Sequence, residues 1–353
     1  MQVEIFEDIF NDNREHFHLD NLLSLFKEDR HFFVIDDCGQ IDACISSTWF
    51  NGLNNRDIKI VKESIVRSSR KVKNKLKIIV SNDESNSDYF GTKEAYLYLN
   101  QPLHILVENS EYEPPFINAI IRNFDYSGEL KYAKDELWLK FSNGGGSSIE
   151  SVLRGEMQNS FNNTVLTKSK EKYLRYFVIK DSDKKYSEEV LPISKTKFLD
   201  YHGICNHILY KREKENYISS NIYESFIYDK IKKNYAISFL RLNNYQKDFL
   251  DIEKGFSYFD NVEMVRKVKE KESLEKEVLN LFGNISNSDY LNIGIGFAIS
   301  YPGFKSNFSK KFDEMSKDDM YQRIKHQPKI RSQIDGIERN EFDHIVNEIK
   351  RLL

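Results

Sequence analysis

LHILVENSEYEPPFINAIIRNF, residues 103–124, runs from apolar residues to a bare Glu108, then turns through Pro114 and Pro115 into an amphipathic segment. A short apolar run bounded by turn residues reads as a buried strand, and proline suits the first turn of a helix, where its missing N–H costs nothing. The stretch predicts strand, loop and helix, with a carboxylate at the strand's open end. The same alternation follows it. ELWLKFS (136–142) reads as a strand and GGGSSIESVLRGEMQ (144–158) as a glycine turn entering a helix. YLRYFVIKDSD (173–183) and HILYKR (207–212) read as two more strands, separated by the helix KTKFLDYHGICN (195–206). Strands that alternate with helices argue for an α/β fold: a parallel sheet closed by crossovers and flanked by helices. In such sheets ligands gather at the carboxyl ends of the strands.

Outward from this core, HLDNLLSLFKE (18–28) is a helix and HFFVIDD (31–37) a strand, and a helix near 57–71 precedes the strand KLKIIVS (75–81). These give an α/β N-terminal region over 1–95, a central sheet over 96–220 and a mainly helical region over 221–353. In the last, NVEMVRKVKEKESLEKEVLNLF (261–282) and RNEFDHIVNEIKRLL (339–353) carry apolar residues at helical spacing. They read as a cap over the sheet.

The 353 residues carry a net charge of −3 with 30% charged residues, so no global basic field draws in a polyanion and any nucleic-acid site must be local. Cys38, Cys44 and Cys205 lack the spacing of a disulfide framework and read as cytoplasmic thiols. The start, MQVEIFEDIFNDNREHFH, has no cationic or apolar signal region, and YLNIGIGFAISYPGF is too short and interrupted to span a membrane. His202, Cys205 and His207 lack a fourth zinc ligand, and Gly294 and Gly296 lack the rest of a dinucleotide fingerprint. RSSRKVKNKLK (67–77) reads first as a solvated helix face.

The predicted strand ends collect acid: Glu108, then Asp181 and Asp183, then Glu215, while Asn143 and Gly144 to Gly146 end the second strand. Residues two apart on an extended chain point the same way, so Asp181 and Asp183 are expected to reach one site. Crowded carboxylates repel unless a cation sits among them, and Mg²⁺ or Mn²⁺ is the simplest. A glycine turn lets backbone approach a phosphate or a metal-bound water.

VEN (107–109), the glycine turn, D-S-D (181–183) and KREKENYI (211–218) resemble, over roughly residues 100–220, the Toprim domain of topoisomerases, primases and several nucleases. The last motif is similar to the overcoming-lysogenization-defect nucleases and to Toprim effectors of phage-defence systems. The resemblance implies a Mg²⁺- or Mn²⁺-dependent endonuclease acting on DNA or RNA, transfer RNA included. Glu108 would be a metal ligand or general acid/base, Asp181 and Asp183 ligands, Glu215 a second-site ligand and Glu113 a further ligand. Lys211 and Arg212 would hold a substrate phosphate. Asn109 and Glu113 depart from the family, which commonly has glycine and aspartate there. It also implies an antiviral effector controlled by a partner ATPase, since no G-x-x-x-x-G-K-[ST] occurs here. A homo-oligomer is left open. The alternative is a non-catalytic module of the same fold that recruits a protein partner.

Overall fold

The computed structural model describes the chain except residues 36, 69–74, 84, 146–147, 160–165 and 257–275, and the side chain of 277. The central sheet comprises β5 (Leu103–Val107), β6 (Leu139–Asn143), β7 (Tyr176–Lys180) and β8 (Cys205–Ile208) in the order β6-β5-β7-β8. Every pairing in it is parallel, with Ile105 opposite both Phe141 and Phe177. The period-two alternation of the strands sorts their side chains between two cores. Leu103, Ile105, Val107, Phe177 and Ile179 face the larger one, while Leu106 and Val178 pack with Ile149, Leu153, Leu199 and Ile204 on the other face. Both faces are thus covered, as a parallel sheet requires. Because β5 is followed by a neighbour on one side and then by β7 on the other, the connections diverge between β5 and β7. That is the topological switch point, beyond whose strand ends parallel sheets commonly bind ligands.

A second parallel sheet lies in the N-terminal part, β1 (Gln2–Ile5), β2 (Phe32–Val34), β3 (Lys77–Val80) and β4 (Tyr89–Phe90), in the order β2-β1-β3-β4. It repeats the strand order of the central sheet. The helices expected near 18–28 and 57–71 are His16–Lys27 and Asn55–Ser68. β1 lies in the acidic start and β4 in the polar loop 82–91, where no strand is expected from sequence. Asp37 accepts the Gly39 N–H at 2.8 Å as the cap of the helix Cys38–Ser46, so its place at a strand end has a local cause; Asp36 lies outside the described residues.

The helical region packs on the larger core together with helix Pro114–Phe124, and Phe116 touches Tyr217, Phe312 and Phe342. Helix Glu341–Leu352 begins where the Asn340 side chain accepts the Asp343 N–H at 2.9 Å, and it buries Phe342, Ile345, Val346, Ile349 and Leu352. Each such side chain contributes roughly 1.5–3 kcal/mol. Of the expected helix over 261–282, residues 261–275 lie outside the described residues and Lys276–Phe282 is helical. Among the described residues no helix is long and apolar enough to cross a membrane.

Candidate metal centre

Glu108 directly follows β5 and Asp181 directly follows β7, so neighbouring strands deliver both carboxylates to the switch point. Glu113 arrives by a different route. The Asn109 side chain accepts the N–H groups of Glu111 and Tyr112 at 2.8 and 3.3 Å, and its carbonyl accepts the Glu113 N–H at 3.1 Å. This Asx-type turn winds the loop back before Pro114 opens its helix. Glu113 then accepts the Glu108 N–H through Oε2 at 3.0 Å. One carboxylate oxygen from each of Glu108, Glu113 and Asp181 lies within 4.8 Å of the others, and among the described residues this is the only such cluster of three or more acidic, histidine or cysteine groups.

The donor set suits a hard divalent ion. Ligands at about 2.1 Å from Mg²⁺ stand roughly 3–4 Å apart, so oxygens as far as 4.8 Å from one another would close by about 1–2 Å around an ion. Electrostatics argue the same way. Burial, with the nearby Asp183 charge, pushes the Glu108 carboxyl above its usual range. Burial likewise raises Glu113 against the pull of Lys214, and raises Asp181 well above an ordinary aspartate. Three carboxyls that resist ionisation together are a place where a cation is stabilised.

One cation is already built in. Lys214 Nζ stands 3.3 Å from Glu113, 3.4 Å from Glu215 and 4.0 Å from Asp181, with 12% of its side chain exposed. Its own N–H donates to Asp181 Oδ1 at 2.9 Å. Burial works against its charge, but Glu215, Asp181 and Glu113 hold its pKa well above the usual lysine value. Glu213, next to it, is pushed up to about 8 by burial and by Asp251.

The remaining sequence expectations divide. Glu215 is buried beside Lys214, outside the triad. Asp183 does not point with Asp181, because β7 ends at Lys180 and the chain is no longer extended. Ser182 is buried and donates to the Lys211 carbonyl at 2.6 Å, while Asp183 adopts φ 56° and turns outward. There it pairs with Lys195 at 2.5 Å and is 60% exposed. Lys211 and Arg212 are not open to a phosphate. Lys211 is fully buried on Asp248 at 2.7 Å, its pKa lowered to about 7 by burial, and Arg212 meets Asp251 at 3.1 Å.

The glycine turn lies beside the triad, since Asn143 pairs with Val107. The Gly144 N–H donates to the Val107 carbonyl at 2.6 Å, and a Cβ there would meet Ile149 at 2.4 Å. Close approach of strand and helix therefore requires this glycine; Gly146 lies outside the described residues. His207 and Cys205, set aside as zinc ligands from sequence, have protein partners, Glu341 at 3.0 Å and Arg351 at 3.4 Å.

Sequence reasoning missed the groups that hold segment 211–217 in place. Asp248 accepts from Lys211, Arg323 and His326 at 2.7, 3.1 and 2.7 Å, and despite its burial the charges of Lys211 and Arg323 and the hydrogen bond from His326 keep it below the usual carboxylate range. Asn216 donates to the carbonyls of Lys247 and Leu250, both at 2.8 Å, and Arg323 donates to the Asn216 carbonyl at 2.8 Å. Glu341 accepts from Tyr217 at 2.6 Å. An aspartate set among apolar neighbours, as in KDFLDI (247–252), is the one signal that could have found Asp248. No protein family, curated protein or solved structure matches the chain, so what the centre does has to be read from its own groups.

Proposed function

We propose that the chain is a Mg²⁺- or Mn²⁺-dependent endonuclease on a Toprim-like sheet, hydrolysing DNA or RNA phosphodiesters. The observation that carries this reading is the convergence of Glu108, Glu113 and Asp181, with ligand atoms within 4.8 Å, at the switch point of a parallel sheet. When bound, the ion would supply Lewis acidity and lower the pKa of water. Glu108 and Asp181 would hold it, with Glu113 fixed on the Glu108 N–H as the third ligand. Phosphate contact falls to Lys180 in place of Lys211 and Arg212, and the charges of both Lys180 and Lys195 reach Glu108. Lys195 spends its three donors on the carbonyls of Asp181 and Ser182 and on the Asp183 carboxylate, so it contributes a fixed positive charge beside the centre. The resemblance to anti-phage effectors adds a cytoplasmic setting and control by a partner ATPase.

One observation favours the second reading, a non-catalytic module that recruits a protein partner: Lys214 already neutralises part of the acidic cluster. Purified protein is incubated with supercoiled plasmid and with total transfer RNA in Mg²⁺ or Mn²⁺, beside Glu108→Gln and Asp181→Asn. Metal-dependent cutting of either, lost by more than about a hundredfold in both variants, is the expected result. Cutting that survives both substitutions refutes this centre. Absence of metal binding together with absence of cutting favours the recruiting module.

A further inference from the structure

This inference rests on the metal-site reading above and concerns how many ions the centre takes. In two-metal phosphodiester centres the ions stand about 4 Å apart and share carboxylates. The first position here is enclosed by Glu108, Glu113 and Asp181. A second position would share Glu113 and Asp181 and reach on to Glu215. That space holds the Lys214 ammonium, 3.3 Å from Glu113, 3.4 Å from Glu215 and 4.0 Å from Asp181.

The fit is chemical as well as spatial. An ammonium has three donors, and three carboxylates surround it. Glu113 divides its oxygens between the two positions, Oε2 on the Glu108 N–H and Oε1 on Lys214. Lys214 is also pinned at its backbone, where its N–H bonds Asp181 at 2.9 Å within a short 3₁₀ turn, Lys214–Tyr217. A surface lysine could swing aside for an arriving ion; this one is 12% exposed and held at both ends.

We propose that the Lys214 ammonium is the resident second cation of this centre, so that the chain takes one divalent ion on Glu108, Glu113 and Asp181 and admits a second beside Glu215 only when Lys214 is removed. The centre then works with one exchangeable ion and one fixed charge.

The test is Mn²⁺ titration of the full chain by calorimetry, with electron paramagnetic resonance to detect spin-coupled pairs, on wild type and Lys214→Met. Wild type is expected to bind one ion with an uncoupled spectrum. K214M is expected to bind two with a coupled spectrum, the first at least about tenfold tighter because a neighbouring positive charge is gone. Two ions in wild type overturn the proposal and leave the metal centre standing, as does a K214M that binds one ion with wild-type affinity. No ion in either protein removes the metal centre and the proposal with it. Should K214M not fold, amine acylation of wild type decides, read by mass spectrometry. Lys214 stays protected at saturating Mn²⁺ if it remains in the cluster. Labelling that rises on metal binding to the level of exposed Lys59, 76% of whose side chain is in solvent, overturns the proposal.

Discussion

Glu341→Ala tests whether the helical region sets the site segment. Glu341 is 2% exposed and its carboxylate accepts three bonds: from His207 Nε2 at 3.0 Å, from the Tyr210 N–H at 2.7 Å and from the Tyr217 hydroxyl at 2.6 Å. Truncation orphans these donors, two of them on residues that flank the stretch 211–216. A buried donor left unsatisfied costs about 1–3 kcal/mol. Water entering the space left by the side chain re-solvates part of that, which gives a total of about 3–6 kcal/mol. Taken as one cooperative unit, the 353-residue chain unfolds with an entropy of about 0.7 kcal/mol/K near its midpoint, so Tm should fall by about 4–8 °C. Glu341→Gln keeps an acceptor oxygen and should lose less than half as much. Differential scanning calorimetry on the three proteins reads this directly. An E341A protein that melts within about 1 °C of wild type would refute the claim that this carboxylate ties the last helix to the site.

Asp248→Asn leaves the buried Lys211 and Arg323 without their shared anion, so it should cost about 3–5 kcal/mol in urea unfolding at pH 7, with the slope against urea unchanged. Glu213 makes the metal-free protein pH-sensitive. Its folded pKa, about 8, lies above its unfolded value of 4.5, so the native state binds the extra proton and Glu213's contribution is full below about pH 4.5 and lost as pH rises through about 8. Glu213→Gln should therefore flatten the decline in stability between pH 5 and 8; an unchanged slope would show that the proton sits elsewhere.

The central fold was legible because its strands write both cores into one alternation. Leu103, Ile105 and Val107 on one face and Leu106 on the other can be read without knowing what covers them. Glu108 and Asp181 were legible for the same reason, since Glu108 follows an apolar run directly and Asp181 one residue later, after Lys180. β1 was not, because QVEI gives four residues of pattern inside an acidic start. The direction of Asp183 depends on Ser182 finding the carbonyl of Lys211, a partner 29 residues on that only the folded sheet brings near. Lys211 and Arg212 were expected to hold a substrate phosphate because a pair of cations at a strand end is usually open to solvent. Their partners Asp248 and Asp251 come nearly 40 residues later, Arg212 and Asp251 being 39 apart. Lys214 was one charge among several in KREKEN. Only the 3₁₀ turn settles that it faces inward.

The bond between Tyr217 and Glu341 spans 124 residues of chain. At a synthesis rate of about 5–20 residues per second, Glu341 is made roughly 6–25 s after Tyr217. During that interval Glu108, Glu113 and Asp181 are already translated, while the stretch that carries Lys214 and Glu215 lacks its far anchor. The nascent chain therefore carries all three clustered carboxylates before it carries the contact that anchors the Lys214 segment, and the order of translation itself postpones the finished cluster until helix Glu341–Leu352 has docked.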